Sequence, residues 1–187
     1  MTLSQNKEKI ISIIVRESMM IRRLVPQDAE SYLTLRLKAL QNSPEAFGST
    51  YEEEKDYTVD KYKIRFQSED SFTFGAFEDG ELVGIITLVT EQRIKLRHRA
   101  TIVAMYVSPE DRGSGIGKAL LKEAIRMSKE LQGIEQVYLT VVTTNKAAKT
   151  LYSSLGFEVF GTEKRALKLN QTYFNEDLMV LFLKMDW

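Results

Sequence analysis

Apolar residues change their rhythm along the chain, and each change predicts an element. Met19-Met20-Ile21-Arg22-Arg23-Leu24 reads as a first strand. Val25-Pro26-Gln27-Asp28 then starts a helix, with proline near its first turn and Ala29, Leu33, Leu37 and Leu40 as its apolar stripe. Asn42-Ser43-Pro44 ends it, and Tyr51 with the acidic triplet Glu52, Glu53 and Glu54 leads toward a second helix over about residues 59–67. A β-rich section follows. Phe72-Thr73-Phe74-Gly75-Ala76-Phe77 is a strand, Glu78-Asp79-Gly80-Glu81 a hairpin turn, and residues 82–90 the returning strand. A basic turn around Arg97-His98-Arg99 brings the chain into another strand over residues 100–107. Residues 116–131 form a helix with Leu120, Leu121, Ala124, Ile125 and Met127 toward the core, and Gly133 terminates it. A strand over residues 137–142, a helix from Asn145 stopped by Gly156, and strands over 157–162 and 174–183 complete the chain. The order β-α-α-β-β-β-α-β-α-β-β predicts an α/β (α+β) fold: one domain with a mixed sheet of six to seven strands and helices on both faces.

Composition narrows the chemistry. At 187 residues, the chain is long enough for one domain with a substantial core and short for two. Lys plus Arg equals Asp plus Glu at 26 each, so no global field recruits nucleic acid or an anionic membrane. With no cysteine and one histidine, disulfides, Cys/His zinc sites and a cysteine acyl-enzyme are excluded. His98 lies in the basic turn, where a solvated or hairpin-structural role is expected. No apolar run approaches the roughly 20 residues needed to span a bilayer. The apolar stretch over residues 9–15 is too short for a signal peptide's core, so the expectation is a cytoplasmic protein without nucleic-acid or membrane partners. Residues 1–18 differ in character and read as an N-terminal extension to a domain over 19–187; spacing among Ile10, Ile11, Ile13, Ile14 and Val15 fits a short helix or a strand.

The candidate chemistry centres on Arg112-Gly113-Ser114-Gly115-Ile116-Gly117-Lys118, between a strand and a helix. Glycines allow close backbone approach, so that N–H groups can point at anionic oxygens, and the positive end of the helix dipole adds to the attraction. A dinucleotide fingerprint fails because Lys118 stands where its third glycine is required. A Walker loop fails because Arg112 replaces its first glycine and Ala119 its magnesium-binding hydroxyl. What remains is Arg112-x-x-Gly115-x-Gly117, which resembles the pyrophosphate loop of the GCN5-related N-acetyltransferases, the GNAT superfamily.

A second motif stands in register with the first. Residues 144–157, from Thr144-Asn145 through Ala148, Leu151-Tyr152 and Gly156-Phe157, resemble that family's N-x-x-A-x-x-L-Y-x-x-x-G-F pattern at every fixed position. Helix geometry puts Tyr152 two turns from Asn145 and on one face with Ala148, so a ligand-facing hydroxyl is compatible with spacing alone. The resemblance covers about residues 20–183. It implies acetyl transfer from acetyl-CoA to a primary amine within a ternary complex, without a metal. By the same resemblance, the backbone of Met105, Tyr106 and Val107 would pair with the pantetheine arm like an added strand, and the strand over 137–142 would splay away to leave room. Backbone amides of Gly113, Ser114, Gly115, Ile116, Gly117 and Lys118 would hold the pyrophosphate, with Arg112 at the loop entrance. Asn145 would bond the pantetheine or order the site.

The chemistry then needs two proton transfers and a donor for the tetrahedral oxyanion, for which a backbone N–H near Val107 is suited. Tyr152 is the expected general acid for the departing thiolate. A phenol of ordinary pKa about 10 protonates a thiolate of about 8.5 only if transfer is coupled to departure or the site depresses the phenol. The base is unassigned. Family members often carry a glutamate five residues before the asparagine, where this chain has Thr140, and residues 100–107 contain no carboxylate. Glu91, Glu163, Glu176 and Asp177 are the alternatives, and spacing does not choose among them. Phe47, Tyr51, Tyr57, Tyr62, Tyr173 and Phe174, with the acids Glu52 to Glu54 and Glu176-Asp177, suggest a small cationic amine as acceptor. A protein N-terminus or lysine is the alternative acceptor, and a non-catalytic acetyl-CoA-binding module the alternative class. An edge strand near the C-terminus offers a pairing surface for a homodimer.

Overall fold

In the computed structural model, which describes residues 19–183, the chain begins with β1 (Met20–Arg23), a 3-10 turn at Pro26–Asp28 and helix α1 (Ala29–Asn42). The single-turn α2 (Tyr51–Glu54) and α3 (Val59–Phe66) follow. Next come β2 (Ser71–Glu78), β3 (Glu81–Thr90) and β4 (Arg99–Val107), then α4 (Ile116–Glu130), β5 (Gln136–Val142) and α5 (Lys146–Ser154). The hairpin β6 (Glu158–Leu169) and β7 (Thr172–Phe182) ends the domain. One seven-stranded sheet results, in the order β1-β2-β3-β4-β5-β7-β6, and only the β4–β5 pair is parallel. This is the mixed sheet that the apolar pattern predicts. Residues 1–18, read above as an extension, lie outside the described residues.

Alternation along β3 divides the core into two. Ile86 and Leu88 pack with Leu120, Leu121 and Ala124 of α4, whereas Ile85 packs with Tyr32 and Leu35 of α1 and Tyr62 and Phe66 of α3. Helices therefore cover both faces. The α1 stripe differs from the expected one: Tyr32, Leu35, Arg36, Ala39 and Leu40 are buried, while Leu33 and Leu37 are only half-buried. The shift comes from side chains that a leucine count overlooks. Tyr32 nests against the rings of Tyr62 and Phe66, with centroids 4.8 and 5.3 Å away, and Arg36 finds a buried carboxylate. The final hairpin is also longer than expected, because charged β6 lacks the alternation that marks a half-buried strand.

Two irregularities open the sheet at its middle. β4 and β5 pair only at Arg99, Ala100 and Thr101, opposite Gln136, Val137 and Tyr138; beyond them the strands part, as the family resemblance implies. β5 keeps its other neighbour along its whole length, from Gln136 opposite Phe182 to Val142 opposite Glu176. On the β3 side, β4 carries a bulge. Ile85 pairs with Tyr106 and Thr87 with Val103, so Ala104 and Met105 together oppose Ile86, and Ala104 sits at φ 53°. The second half of β4 thus has a free edge facing a gap.

Candidate active site

The gap opens into a cleft of about 710 Å³. Met105, Tyr106 and Val107 form its floor, and Arg112, Gly113, Gly115, Gly117 and Lys118 its glycine-turn end. Gly113 and Gly115 adopt φ 81° and 95°, a region that side chains disfavour, so glycine is required to make the turn. Gly115 is the N-cap of α4 and no side chain caps that helix, leaving its first-turn N–H groups for another acceptor. Arg112 donates from Nε to the carbonyl of Val107 at 3.0 Å, tying the turn to the strand end. Ser114 and Ile116 are expected to act through their backbone amides, and their side chains are engaged elsewhere. The Ser114 hydroxyl donates to the Asp111 carbonyl at 2.6 Å and the Ile116 side chain is buried in the core, so both are left with backbone roles only.

From α5, Asn145, Ala148, Leu151 and Tyr152 complete the cleft. Asn145 Oδ1 accepts from the Ala148 N–H at 3.1 Å and so caps α5. Tyr152 is 8% exposed, and its hydroxyl donates to Met105 Sδ at 3.4 Å. Burial pushes its pKa up to about 12. Burial thus opposes a depressed phenol at this position. The same burial raises the proton affinity of any thiolate formed beside it, because desolvation disfavours every anion there.

A second cleft of about 430 Å³ adjoins the first, and Ala46, Phe47, Met105 and Tyr152 line both. Its walls bring Arg36 from α1, Lys61, Tyr62 and Arg65 from α3, Thr140 from β5 and Glu176 from β7. Arg36 makes a buried fork to Glu54, with Nε to Oε2 at 3.0 Å and Nη2 to Oε1 at 2.7 Å, and Tyr62 donates to Glu54 Oε2 at 3.2 Å. Burial pushes the Glu54 carboxyl up, yet the Arg36 guanidinium outweighs it and holds the pKa below the usual value. Arg36 Nη1 is buried without a partner. The acidic triplet is thus occupied: Glu52 is bonded to Lys55, Glu53 accepts from the Thr50 N–H at 2.7 Å, and Glu54 serves Arg36. Phe47, Tyr57 and Tyr62 line this cleft, whereas Tyr51, Tyr173 and Phe174 line neither.

The four candidate bases separate clearly. Glu176 lines the second cleft, where burial raises its pKa, a Thr140 hydrogen bond opposes the rise and the Glu163 charge adds to it. Asp177 points away, bonded to Lys149 at 2.5 Å and Thr162 at 2.7 Å, which lower its pKa. Glu91 is tied to Arg93 at 2.5 Å outside both clefts, and Glu163 is exposed on β6 opposite Glu176. His98 is also remote from both clefts; its carbonyl accepts from Glu135 and Gln136 at the turn before β4. Among the described residues, no cluster of three or more His, Asp or Glu could hold a metal, and no helix is long and apolar enough to cross a membrane.

The model of the Acetyltransferase (GNAT) family matches residues 37–157, a span that contains both clefts' shared residues, the glycine turn and Tyr152. The chain belongs to this family. Acetyl-CoA is the family's acyl donor. An N-acetyltransferase of Methanocaldococcus jannaschii is 31% identical over 150 residues, covering 79% of this chain and 62% of that relative. The L-amino acid N-acetyltransferase of Escherichia coli is 32% identical over 95 residues, covering 51% of this chain and 58% of the relative. The chain thus spans about three fifths of the length of these two relatives. A solved acetyltransferase-like protein of Salmonella typhimurium, determined with acetyl-CoA, has the same fold at TM-score 0.79 and 18% identity, covering 91% of this chain and 96% of that one.

Proposed function

We propose that this GNAT protein transfers an acetyl group from acetyl-CoA directly to a small primary amine within a ternary complex. The observation that carries the reading is the meeting of two clefts at Tyr152 and Met105. Acetyl-CoA occupies the larger one. Its diphosphate lies on the free amides of the turn from Gly113 to Lys118 and at the start of α4, with Arg112 and Lys118 beside it. Its pantetheine follows the edge of β4 that β5 leaves unpaired, at Met105, Tyr106 and Val107. The thioester then arrives at Tyr152, whose buried phenol is protonated at neutral pH and supplies the proton to the departing thiolate.

The amine enters from the second cleft. With Arg36 and Glu54 cancelling, Lys61 and Arg65 outnumber the one other carboxylate of the cleft, Glu176, so this wall favours an acceptor that carries an acid group as well as its amine. The small cationic amine suggested by the acidic triplet is disfavoured for the same reason. The amino-acid acceptor in the name of the Escherichia coli relative agrees with the choice. Thiol release from acetyl-CoA across amino acids, their carboxamides and polyamines tests the reading. Turnover with carboxylated amines above amides and polyamines is expected. Calorimetry detecting no acetyl-CoA uptake, or no thiol release with any amine, would overturn it.

A further inference from the structure

We propose that Glu176 takes the proton from the acceptor's ammonium, as a catalytic base brought to the reaction centre from β7. The inference rests on the acetyltransfer reading above and supplies a group that family members often carry and this chain lacks at the usual position. At the β5 position where family members often carry a glutamate stands Thr140, and β4 offers no carboxylate. The sheet replaces it from the adjacent strand. Val142 pairs with Glu176 and Thr140 with Leu178, so Thr140 and Glu176 are diagonal neighbours on one face. Both line the second cleft, as does Tyr152. Glu54, the other carboxylate of that cleft, is locked to Arg36 and Tyr62, and Asp177 alternates to the opposite face against Lys149.

The proton balance closes with these two groups. R–NH3+ gives one proton to the Glu176 carboxylate, and the neutral nitrogen attacks the thioester carbonyl, forming the C–N bond. As the C–S bond breaks, sulfur takes the Tyr152 proton and nitrogen returns its second proton to the phenolate. Glu176 releases its own to water. Burial suits the base: a carboxylate raised above its ordinary value holds the proton more readily. Its shift comes from burial, from Thr140 on β5 and from Glu163 on β6; the other charged groups lining the cleft are Lys61, Arg65 and the Arg36–Glu54 pair.

Glu176→Gln, Glu176→Asp, Thr140→Val and Glu163→Gln test the proposal through pH profiles of kcat/KM, with acetyl-CoA affinity measured beside them. Glu176→Gln is expected to lower kcat/KM by about 10²-fold or more near neutrality. Its deficit should shrink as pH rises and solvent supplies neutral amine. Acetyl-CoA affinity should hold, and Glu176→Asp should retain part of the rate. Thr140→Val, removing a bond to the charged form, should move the acid limb upward, and Glu163→Gln should move it downward. A raised carboxylate favours folding only at low pH and loses that contribution as pH rises through its folded value, so Glu176→Gln should melt no lower than wild type at neutral pH. Wild-type rates and profile in Glu176→Gln would overturn this assignment alone. A wild-type protein that binds acetyl-CoA and acetylates nothing would remove the transfer reading and this one together.

Discussion

The two clefts are built by different means. The larger is chiefly a backbone site: a left-handed glycine turn, uncapped helix amides and an unpaired strand edge, drawn mostly from β4, α4 and α5, which are close in sequence, with Ser43, Glu45, Ala46 and Phe47 added from the loop after α1. The smaller is a side-chain site, assembled from α1, α3, β4, β5 and β7 across residues 32 to 176. A backbone site tolerates most side-chain changes and fails when its dihedrals are disturbed. A side-chain site fails wherever a charge loses its partner. That difference can be broken experimentally at each end.

The largest expected effect is on the smaller cleft's scaffold. Arg36→Ala leaves Glu54 buried and uncompensated, and should lower unfolding stability by about 3–5 kcal/mol in urea titrations. The double replacement Arg36→Met with Glu54→Leu should recover much of that, because two buried charges leave together. At the junction of the clefts, Tyr152→Phe should reduce kcat roughly 10²-fold, about 2.7 kcal/mol, with acetyl-CoA affinity nearly unchanged by calorimetry. Wild-type turnover in that variant would remove Tyr152 as the acid.

Smaller effects test the backbone site. A Cβ at Gly115 would meet nothing within 4 Å, so Gly115→Ala isolates the cost of φ 95° from any clash. It should destabilise by about 1–2 kcal/mol and weaken acetyl-CoA binding, while leaving charge preference among acceptors intact. Smallest of all, Lys61→Glu should raise KM for acid-bearing amines several-fold without altering acetyl-CoA affinity, since an exposed charge is worth only about 0.2–1 kcal/mol. Equal shifts in both ligands would show that the clefts are not separable.

The same contrast decides what could be read from the chain. Gly113, Gly115 and Gly117 mark a turn because few other residues fit there, and Asn145, Leu151 and Tyr152 follow on a single helix, so local spacing placed the larger cleft. The parting of β4 from β5 came with that family pattern. What distinguishes Glu176 from the other three candidate carboxylates was hidden for a physical reason: Thr140 lies 36 residues away in the chain, and only cross-strand register brings the two to one face. The acidic triplet misled in the opposite direction. Glu52, Glu53 and Glu54 look like one attractive patch, but a cap, a surface pair and a buried fork take one carboxylate each. Leu33 and Leu37 misled likewise, because residue type does not reveal that Tyr32 and Arg36 have partners waiting inside.

Ala104 carries a consequence for how the molecule is phased. It is the supernumerary residue of β4, held left-handed where most side chains avoid going. Side chains alternate with a period of two, so deleting it would invert the parity of everything from Met105 onward. Tyr106, now buried against Phe47 at 6.5 Å between ring centroids, would exchange faces with Met105, and the sulfur beneath Tyr152 would turn away from it. One alanine more than its partner strand requires thus keeps thioether, phenol and open edge on the same beat.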